Sequence, residues 1–119
     1  MEPVGQVIIE KDVPATMRDG TILRADVYRP AVAEPLPALL TRTPYGKDFP
    51  VSTTYVDVIR LARRGYVVII QDARGCYASA GAFVPFEAEF EDGFDTVEWA
   101  ARLPWCNGQV GMWGASYFG

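Results

Sequence analysis

The 119-residue sequence contains no histidine and only two cysteines, which narrows the chemistry that it can support by itself. Histidine is the side chain most often used as a general base near neutral pH, so a reaction that needs an imidazole requires residues from elsewhere. Cys76 and Cys106 form no CxxC pair and are too few for a disulfide framework. We therefore expect two reduced thiols and no metal site.

The sequence also lacks long hydrophobic runs and any concentration of positive charge. No apolar stretch approaches the ~20 residues of a membrane-spanning helix, and residues 1–3 have no feature of a signal peptide. The net charge is −4 and the Lys and Arg residues are scattered, which disfavours a nucleic-acid or membrane partner. We expect one domain over residues 1–119 in a cytoplasmic protein.

Short apolar runs alternate with longer amphipathic ones, a pattern typical of a largely parallel sheet covered by helices. The predicted strands cover residues 7–10, 22–28, 38–41, 66–70 and 110–113. One predicted helix is capped by Ser52 and runs to about Arg64, before Gly65, and another covers about 89–103. The Asp-Gly turn at residues 18–21 predicts an antiparallel hairpin at the start of the sheet.

Loops and turns are expected at residues 42–47, 71–75 and 105–108, where glycine or proline occurs. Asp72 and Arg74 are predicted to form an ion pair that holds the second of these loops. Trp105 and Trp113 are interpreted mainly as core residues, although Trp113 could also line a pocket. A run of acidic residues is predicted to be a solvated helix start that complements the helix dipole, namely Glu87, Glu89, Glu91, Asp92 and Asp95.

The last predicted strand runs directly into the segment 114–119, with the sequence GASYFG. A serine between small residues, directly after a buried strand, is the setting of a nucleophile elbow. Such a turn presents Ser116 at a helix N-terminus, where backbone N–H groups point at developing negative charge. The general G-x-S-x-G pattern is not met, because Phe118 stands in place of the second glycine. The local motif therefore leaves a catalytic nucleophile and a structural turn both open.

Four motifs occur in order along the chain: residues 17–21 with 27–30, residues 42–45, residues 71–75 with 79–81, and residues 105–119. Together they resemble the X-prolyl dipeptidyl-peptidase and cocaine-esterase-like family of serine hydrolases, whose own elbow is G-x-S-Y-x-G. The departure at Phe118 disappears in that pattern. The resemblance implies the N-terminal portion of an α/β-hydrolase fold, with a mostly parallel sheet and an antiparallel N-terminal hairpin, truncated at the nucleophile elbow.

The same resemblance implies a role for each site residue. Ser116 would be the nucleophile that forms an acyl-enzyme from an ester or amide. The hydroxyl of Tyr45 and the backbone N–H of Tyr117 would form the oxyanion hole, whereas without the resemblance Tyr45 is better interpreted as a loop residue packed on the core. The base would be an absent histidine oriented by an absent aspartate, so the 119 residues alone are expected to be inactive. The implied substrate is a small ester or short peptide, with no cofactor.

Lys47 bears on the branch of the family. In the α-amino-acid ester hydrolases, an acid that holds the substrate amine lies two residues after the oxyanion tyrosine, and Lys47 occupies that position here. This favours an acyl esterase, and X-prolyl peptidase activity is disfavoured because the first motif comes within twenty residues of the start. One rival is a non-catalytic α/β binding module, which the intact Tyr45 and Ser116 oppose. Another is a nucleotide-binding protein, which the absent phosphate-loop spacing opposes.

Overall fold

The computed structural model describes residues 6–43, 46–47, 57–81 and 89–113, with only the backbone at positions 89–90. These ranges contain two helices, α1 (Val58–Arg63) and α2 (Glu89–Ala101). They also contain five strands: β1 (Val7–Thr16), β2 (Ile22–Pro30), β3 (Leu36–Thr43), β4 (Val67–Asp72) and β5 (Cys106–Met112). The predicted α/β fold is confirmed. Neither described helix has the length and apolar character needed to cross a membrane.

The strands form one mixed sheet in the order β1-β2-β4-β3-β5. β1 and β2 form the predicted antiparallel hairpin, and β2 also pairs antiparallel with β4. β3 lies between β4 and β5 and is parallel to both. Because Ala25 near the start of β2 pairs with Gln71 near the end of β4, the hairpin turn lies where the parallel strands end. We call this side of the sheet the carboxyl edge.

All five strands are longer than the sequence pattern predicts, and β1 and β5 each contain an irregularity that resembles the end of a strand. β1 continues to Thr16 after a bulge, where the pairing shifts between Glu10 and Val13 and Asp12 has a φ of 54°. β5 begins at Cys106, so most of the turn predicted over 105–108 is part of the strand. Gly108 nevertheless has the positive φ of a turn residue, 93°, at the point where the pairing of β5 with β3 shifts in register.

The two helices end close to where glycine and proline predict. α1 is capped by Asp57, whose carboxylate accepts a hydrogen bond from the N–H of Arg60 at 3.1 Å. α1 therefore begins later than the predicted cap at Ser52, a residue that itself lies outside the described ranges. Gly65 follows α1 with a φ of 101°, which only glycine adopts without strain, so the predicted end of this helix is confirmed. α2 ends at Ala101, two residues before the predicted end at Leu103.

The core lies on both faces of the sheet, with one helix on each. Val67 and Ile69 of β4 point to the α2 face, and Val68 and Ile70 point to the α1 face. All four are at most 1% exposed, as expected for a parallel strand covered on both sides. Burying a side chain of this size stabilises the fold by about 1.5–3 kcal/mol. β4 therefore contributes strongly to the stability of the sheet that ends at the carboxyl edge.

Candidate active site

The three residues predicted to carry the chemistry, Tyr45, Ser116 and Tyr117, lie outside the described residues. The strands that precede them are described. β3 ends at Thr43 and β5 ends at Met112, and the two are parallel neighbours. The N–H of Trp113 extends this pairing by donating to the carbonyl of Leu40 at 3.1 Å. The framework around the candidate site can therefore be built from the carboxyl edge.

The Asp72 side chain at the end of β4 joins the loops that follow β3 and β4. One carboxylate oxygen accepts the N–H of Lys47 at 2.8 Å, and the other accepts the N–H of Ala78 at 3.1 Å. Burial raises the pKa of the Asp72 carboxyl, while these two hydrogen bonds act in the opposite direction. Asp72 therefore fixes two active-site loops of the predicted enzyme to one another.

Ser79 fastens the loop after β4 to the hairpin. Its hydroxyl donates to the backbone carbonyl of Asp72 at 2.6 Å and accepts the N–H of Arg24, in β2, at 2.8 Å. Ser79 is buried, and its hydroxyl proton is committed to the Asp72 carbonyl. These contacts give Ser79 a structural role and make it a useful comparison for the predicted nucleophile.

Lys47 is buried, at 2% exposure, and its ammonium meets two carboxylates of the hairpin. Its Nζ lies 2.6 Å from Asp12 Oδ1 and 3.0 Å from Asp26 Oδ1. Asp26 also accepts the backbone N–H of Asp12 at 3.0 Å and the ammonium of Lys11 at 2.6 Å. We call Lys11, Asp12, Asp26 and Lys47 the Lys47 cluster. It holds the bulge of β1 and the loop after β3 against the same buried carboxylate.

The Lys47 cluster is not predicted from the sequence, in which Lys47 stands out only as the position of an absent acid. One signal was present, because Asp26 interrupts the apolar residues Ala25 and Val27 in the middle of a predicted strand. A fully buried carboxylate needs a partner. The sequence could therefore have indicated a buried ion pair, although not which lysine completes it.

The ion pair predicted between Asp72 and Arg74 is wrong. The Arg74 guanidinium binds the Asp92 carboxylate through two hydrogen bonds, of 2.8 and 2.7 Å, and Asp19 through a third of 2.9 Å. Arg74 also donates to the Thr21 hydroxyl at 2.8 Å. Asp72 does not take part because its carboxylate accepts backbone N–H groups instead. We call Arg74, Asp19, Thr21 and Asp92 the Arg74 clamp.

The Arg74 clamp joins the hairpin turn, the loop after β4 and helix α2. The hydrogen bonds to Asp92, and then to Asp19, hold the pKa of Arg74 above its ordinary value. The same contact with Arg74 lowers the pKa of Asp19 to about 2. Both directions follow from hydrogen bonds that favour the charged forms, so Arg74 and Asp19 are ionised at neutral pH.

The prediction of a solvated acidic run is wrong for Asp92 and Asp95, which are paired with arginines. Asp92 is 1% exposed and paired with Arg74, and Asp95 binds Arg18 through its guanidinium at 2.9 Å. The hydrogen bond from Arg18 lowers the pKa of Asp95. Glu91 has a side chain that is 60% exposed, as predicted. The side chains of Glu87 and Glu89 lie outside the described residues.

The two tryptophans that flank β5 pack against the core, which confirms their main interpretation. Trp113 is half-buried against the cluster of Val58, Val68 and Ile70 on the α1 face. Trp105 packs on the α2 face, and the Arg29 guanidinium lies 4.7 Å from the centroid of its ring. The tryptophans therefore stabilise the strand that leads to the predicted elbow.

The strand order and the loops gathered at one edge define the chain as part of an α/β hydrolase, and solved structures agree. A CocE/NonD family hydrolase from Staphylococcus aureus superimposes with a TM-score of 0.85 at 30% identity, covering 94% of this chain and 24% of that one. An α-amino acid ester hydrolase superimposes with a TM-score of 0.77 at 30% identity, over 94% of this chain and 22% of that one.

The chain belongs to the X-Pro dipeptidyl-peptidase (S15) family, whose pattern it matches over residues 19–119. Cocaine esterase from Rhodococcus sp. (strain MB1 Bresler) is 44% identical over 117 residues, which are 97% of this chain and 20% of that protein. The chain thus spans about a fifth of the length of the curated relatives it matches. The family comprises hydrolases that act as esterases or peptidases.

Proposed function

We propose that this chain belongs to a serine hydrolase that cleaves an ester or amide through an acyl-enzyme on Ser116. The Ser116 hydroxyl attacks the substrate carbonyl, its proton passes to a histidine, and the alcohol or amine leaves with a proton from that histidine. Water then releases the acid by the same route. The 119 residues contain no histidine, so the base and its aspartate come from sequence outside them and these residues alone are inactive.

The register between β3 and β5 is the observation that supports this proposal best. Met112 lies opposite Leu40 in the parallel pair. Ser116 follows Met112 by four residues, and Tyr45 follows Leu40 by five. β5 ends at this level and β3 continues three residues further, to Thr43, while neighbouring strands lie about 4.8 Å apart, so both segments start from adjacent positions at the carboxyl edge. The register therefore favours one shared site for the Ser116 hydroxyl and the Tyr45 phenol.

The proposed oxyanion hole consists of the Tyr45 hydroxyl and the backbone N–H of Tyr117. Attack on the carbonyl builds negative charge on its oxygen, and two donors about 3 Å away stabilise that charge. The described framework suits this role, because the N–H of Lys47 binds Asp72 only two residues after Tyr45. Two residues of chain reach at most about 7 Å, which supports a place for Tyr45 near the carboxyl edge.

The proposed substrate is a small-molecule ester rather than a compound recognised by its free amine. The position two residues after Tyr45 offers an ammonium and not a carboxylate, and Lys47 directs that ammonium to Asp12 and Asp26. At this position a substrate amine would meet an ammonium and not an acid. This supports an acyl esterase over an amino-acid ester hydrolase within the same family.

Labelling with an alkyl fluorophosphonate tests the nucleophile. We expect stoichiometric labelling of the full-length protein and none in Ser116→Ala, because the probe traps an activated serine. Ser79→Ala is the matched control, since its hydroxyl is committed to the Asp72 carbonyl, and it should label like the wild type. An unlabelled wild-type protein, or undiminished labelling of Ser116→Ala, would rule out the proposal.

The oxyanion hole is tested by Tyr45→Phe, which removes one hydroxyl donor and keeps the ring. The expected loss is about 10²–10³ in kcat, with KM much less affected. Tyr66→Phe removes a phenol from the opposite end of the sheet, just before β4, and should leave kcat unchanged. Equal kcat values for Tyr45→Phe and the wild type would exclude the proposed role of Tyr45.

A further inference from the structure

Lys47 is attached to the rest of the protein by both its backbone and its side chain. Its backbone N–H donates to Asp72 at the end of β4, at 2.8 Å. Its ammonium lies 2.6 Å from Asp12 Oδ1 and 3.0 Å from Asp26 Oδ1, in the hairpin. The loop that carries Tyr45 is therefore anchored, two residues later, to two different parts of the sheet.

The charge on Lys47 does not serve stability alone. Its side chain is 1% exposed and that of Asp26 is 0% exposed, so both charges are taken out of water at a high desolvation cost. Replacing such a buried ion pair as a whole with apolar side chains of similar volume would commonly leave the fold as stable or more stable. A buried ammonium differs from a hydrocarbon in that it fixes a position, because it is stable only where carboxylate oxygens lie within hydrogen-bond distance.

The direction of this anchor is set by the bulge in β1. Asp12, with a φ of 54°, is turned out of the regular strand, and its backbone N–H binds Asp26 at 3.0 Å. This geometry brings the Asp12 and Asp26 carboxylates together around one ammonium. The Lys47 cluster thus binds the loop after β3 to one defined position on the hairpin.

We propose that Lys47 is a positioning residue for the oxyanion hole. Its buried ammonium binds Asp12 and Asp26 and thereby holds the loop after β3 in the position from which the Tyr45 phenol would donate to the developing oxyanion. The inference rests on the proposed function, in which Tyr45 is a donor. Lys47 itself does not touch the substrate, since its ammonium and its N–H are both committed to the sheet.

The test is a double-mutant cycle on the full-length protein, with kcat and KM for an activated ester measured in wild type, Lys47→Met, Tyr45→Phe and the double variant. Methionine fills a similar volume without charge. A donor displaced by about 1 Å can cost up to about 10²-fold, so Lys47→Met should lower kcat about 10- to 100-fold with little change in KM. In the Tyr45→Phe background the same change should cost less than about twofold, because the donor is already absent.

Arg18→Met is the matched control for loss of a cation. Arg18 also lies in the hairpin and binds a carboxylate, with its guanidinium 2.9 Å from Asp95 Oδ1, but its side chain is 50% exposed and it is not part of the Lys47 cluster. It should leave kcat unchanged. If Lys47→Met fails to fold, Asp12→Asn replaces it in the cycle, because asparagine tolerates a positive φ and only one of the two carboxylate partners of Lys47 is lost. Its loss of kcat should be smaller and equally dependent on Tyr45.

Two outcomes overturn the inference while leaving the proposed function intact. In the first outcome, Tyr45→Phe has a lowered kcat but Lys47→Met retains the full kcat of the wild type. The same conclusion follows if Asp12→Asn, used in place of Lys47→Met, retains full kcat. In the other, the loss caused by Lys47→Met is as large in the Tyr45→Phe background as in the wild type, which identifies a general structural role. If Tyr45→Phe itself retains full kcat, the proposed oxyanion hole fails, and this inference fails with it.

Discussion

Replacing Arg74 with methionine should destabilise the protein by about 3 kcal/mol. The change leaves the Asp92 carboxylate, whose side chain is 2% exposed, without its guanidinium partner. Removing one member of a buried pair costs about 3–5 kcal/mol, because the remaining charge is desolvated and unpaired. The Arg74 side chain is 17% exposed, so water can partly replace it, and the α2 N-terminus favours the anion by up to about 1 kcal/mol. Both effects place the expected loss at the lower end of the range of about 3–5 kcal/mol.

Urea unfolding of the full-length protein measures this loss, and hydrogen exchange of residues 73–81 and 89–101 localises it. Arg74→Met with Asp92→Asn should recover much of the stability, since a neutral amide is cheaper to bury than an unpaired charge. Asp19→Asn is the matched control, because Asp19 is the exposed partner of the same guanidinium and its loss should be small. The reasoning is refuted if Arg74→Met loses less than about 1 kcal/mol, or if the double variant is no more stable than the single one.

Gly81→Ala should destabilise the protein by more than Gly20→Ala in thermal unfolding, although the two glycines have φ values of 92° and 86°. A Cβ at Gly81 would lie 2.9 Å from Arg74 Cγ, whereas one at Gly20 meets nothing within 4 Å, so equal losses would contradict the packing argument. The contact with Arg74 lowers the pKa of Asp19 to about 2, below its ordinary value of about 3.9. The stability that Asp19 adds relative to Asp19→Asn should therefore be complete above about pH 5 and decline as the pH falls from about 4 towards 2. A difference in unfolding free energy that stays constant over that range would contradict the shift.

The sequence predicts the elements whose signal is local. The run at residues 66–70 is apolar throughout, because β4 is covered on both faces, and Gly65 marks the turn before it through its positive φ. The Asp-Gly turn at residues 18–21 likewise predicts the hairpin. The sequence pattern ends β1 too early, because the bulge at Asp12 lies inside a continuous strand. It also starts β5 too late, because the turn-like segment at Gly108 lies inside that strand.

The polar framework of the candidate site could not be predicted from local pattern, because its partners are distant in sequence. Asp92 lies in an acidic run typical of a solvated helix start, and its partner Arg74 is 18 residues away. Lys47 and Asp26 are brought together only by the sheet. The ordered motifs, by contrast, predicted the family correctly. The roles of Ser116, Tyr45 and Tyr117 stay predictions that the proposed experiments test.

The Arg74 clamp has a consequence for the lifetime of the folded state. Asp19 and Arg74 are 55 residues apart, so their contact closes a long loop, whose entropic cost grows with its length. A contact that forms after the transition state contributes little to the rate of folding and mainly slows unfolding. We therefore expect Arg74→Met to accelerate unfolding more than it slows folding, which would shorten the lifetime of the assembled carboxyl edge.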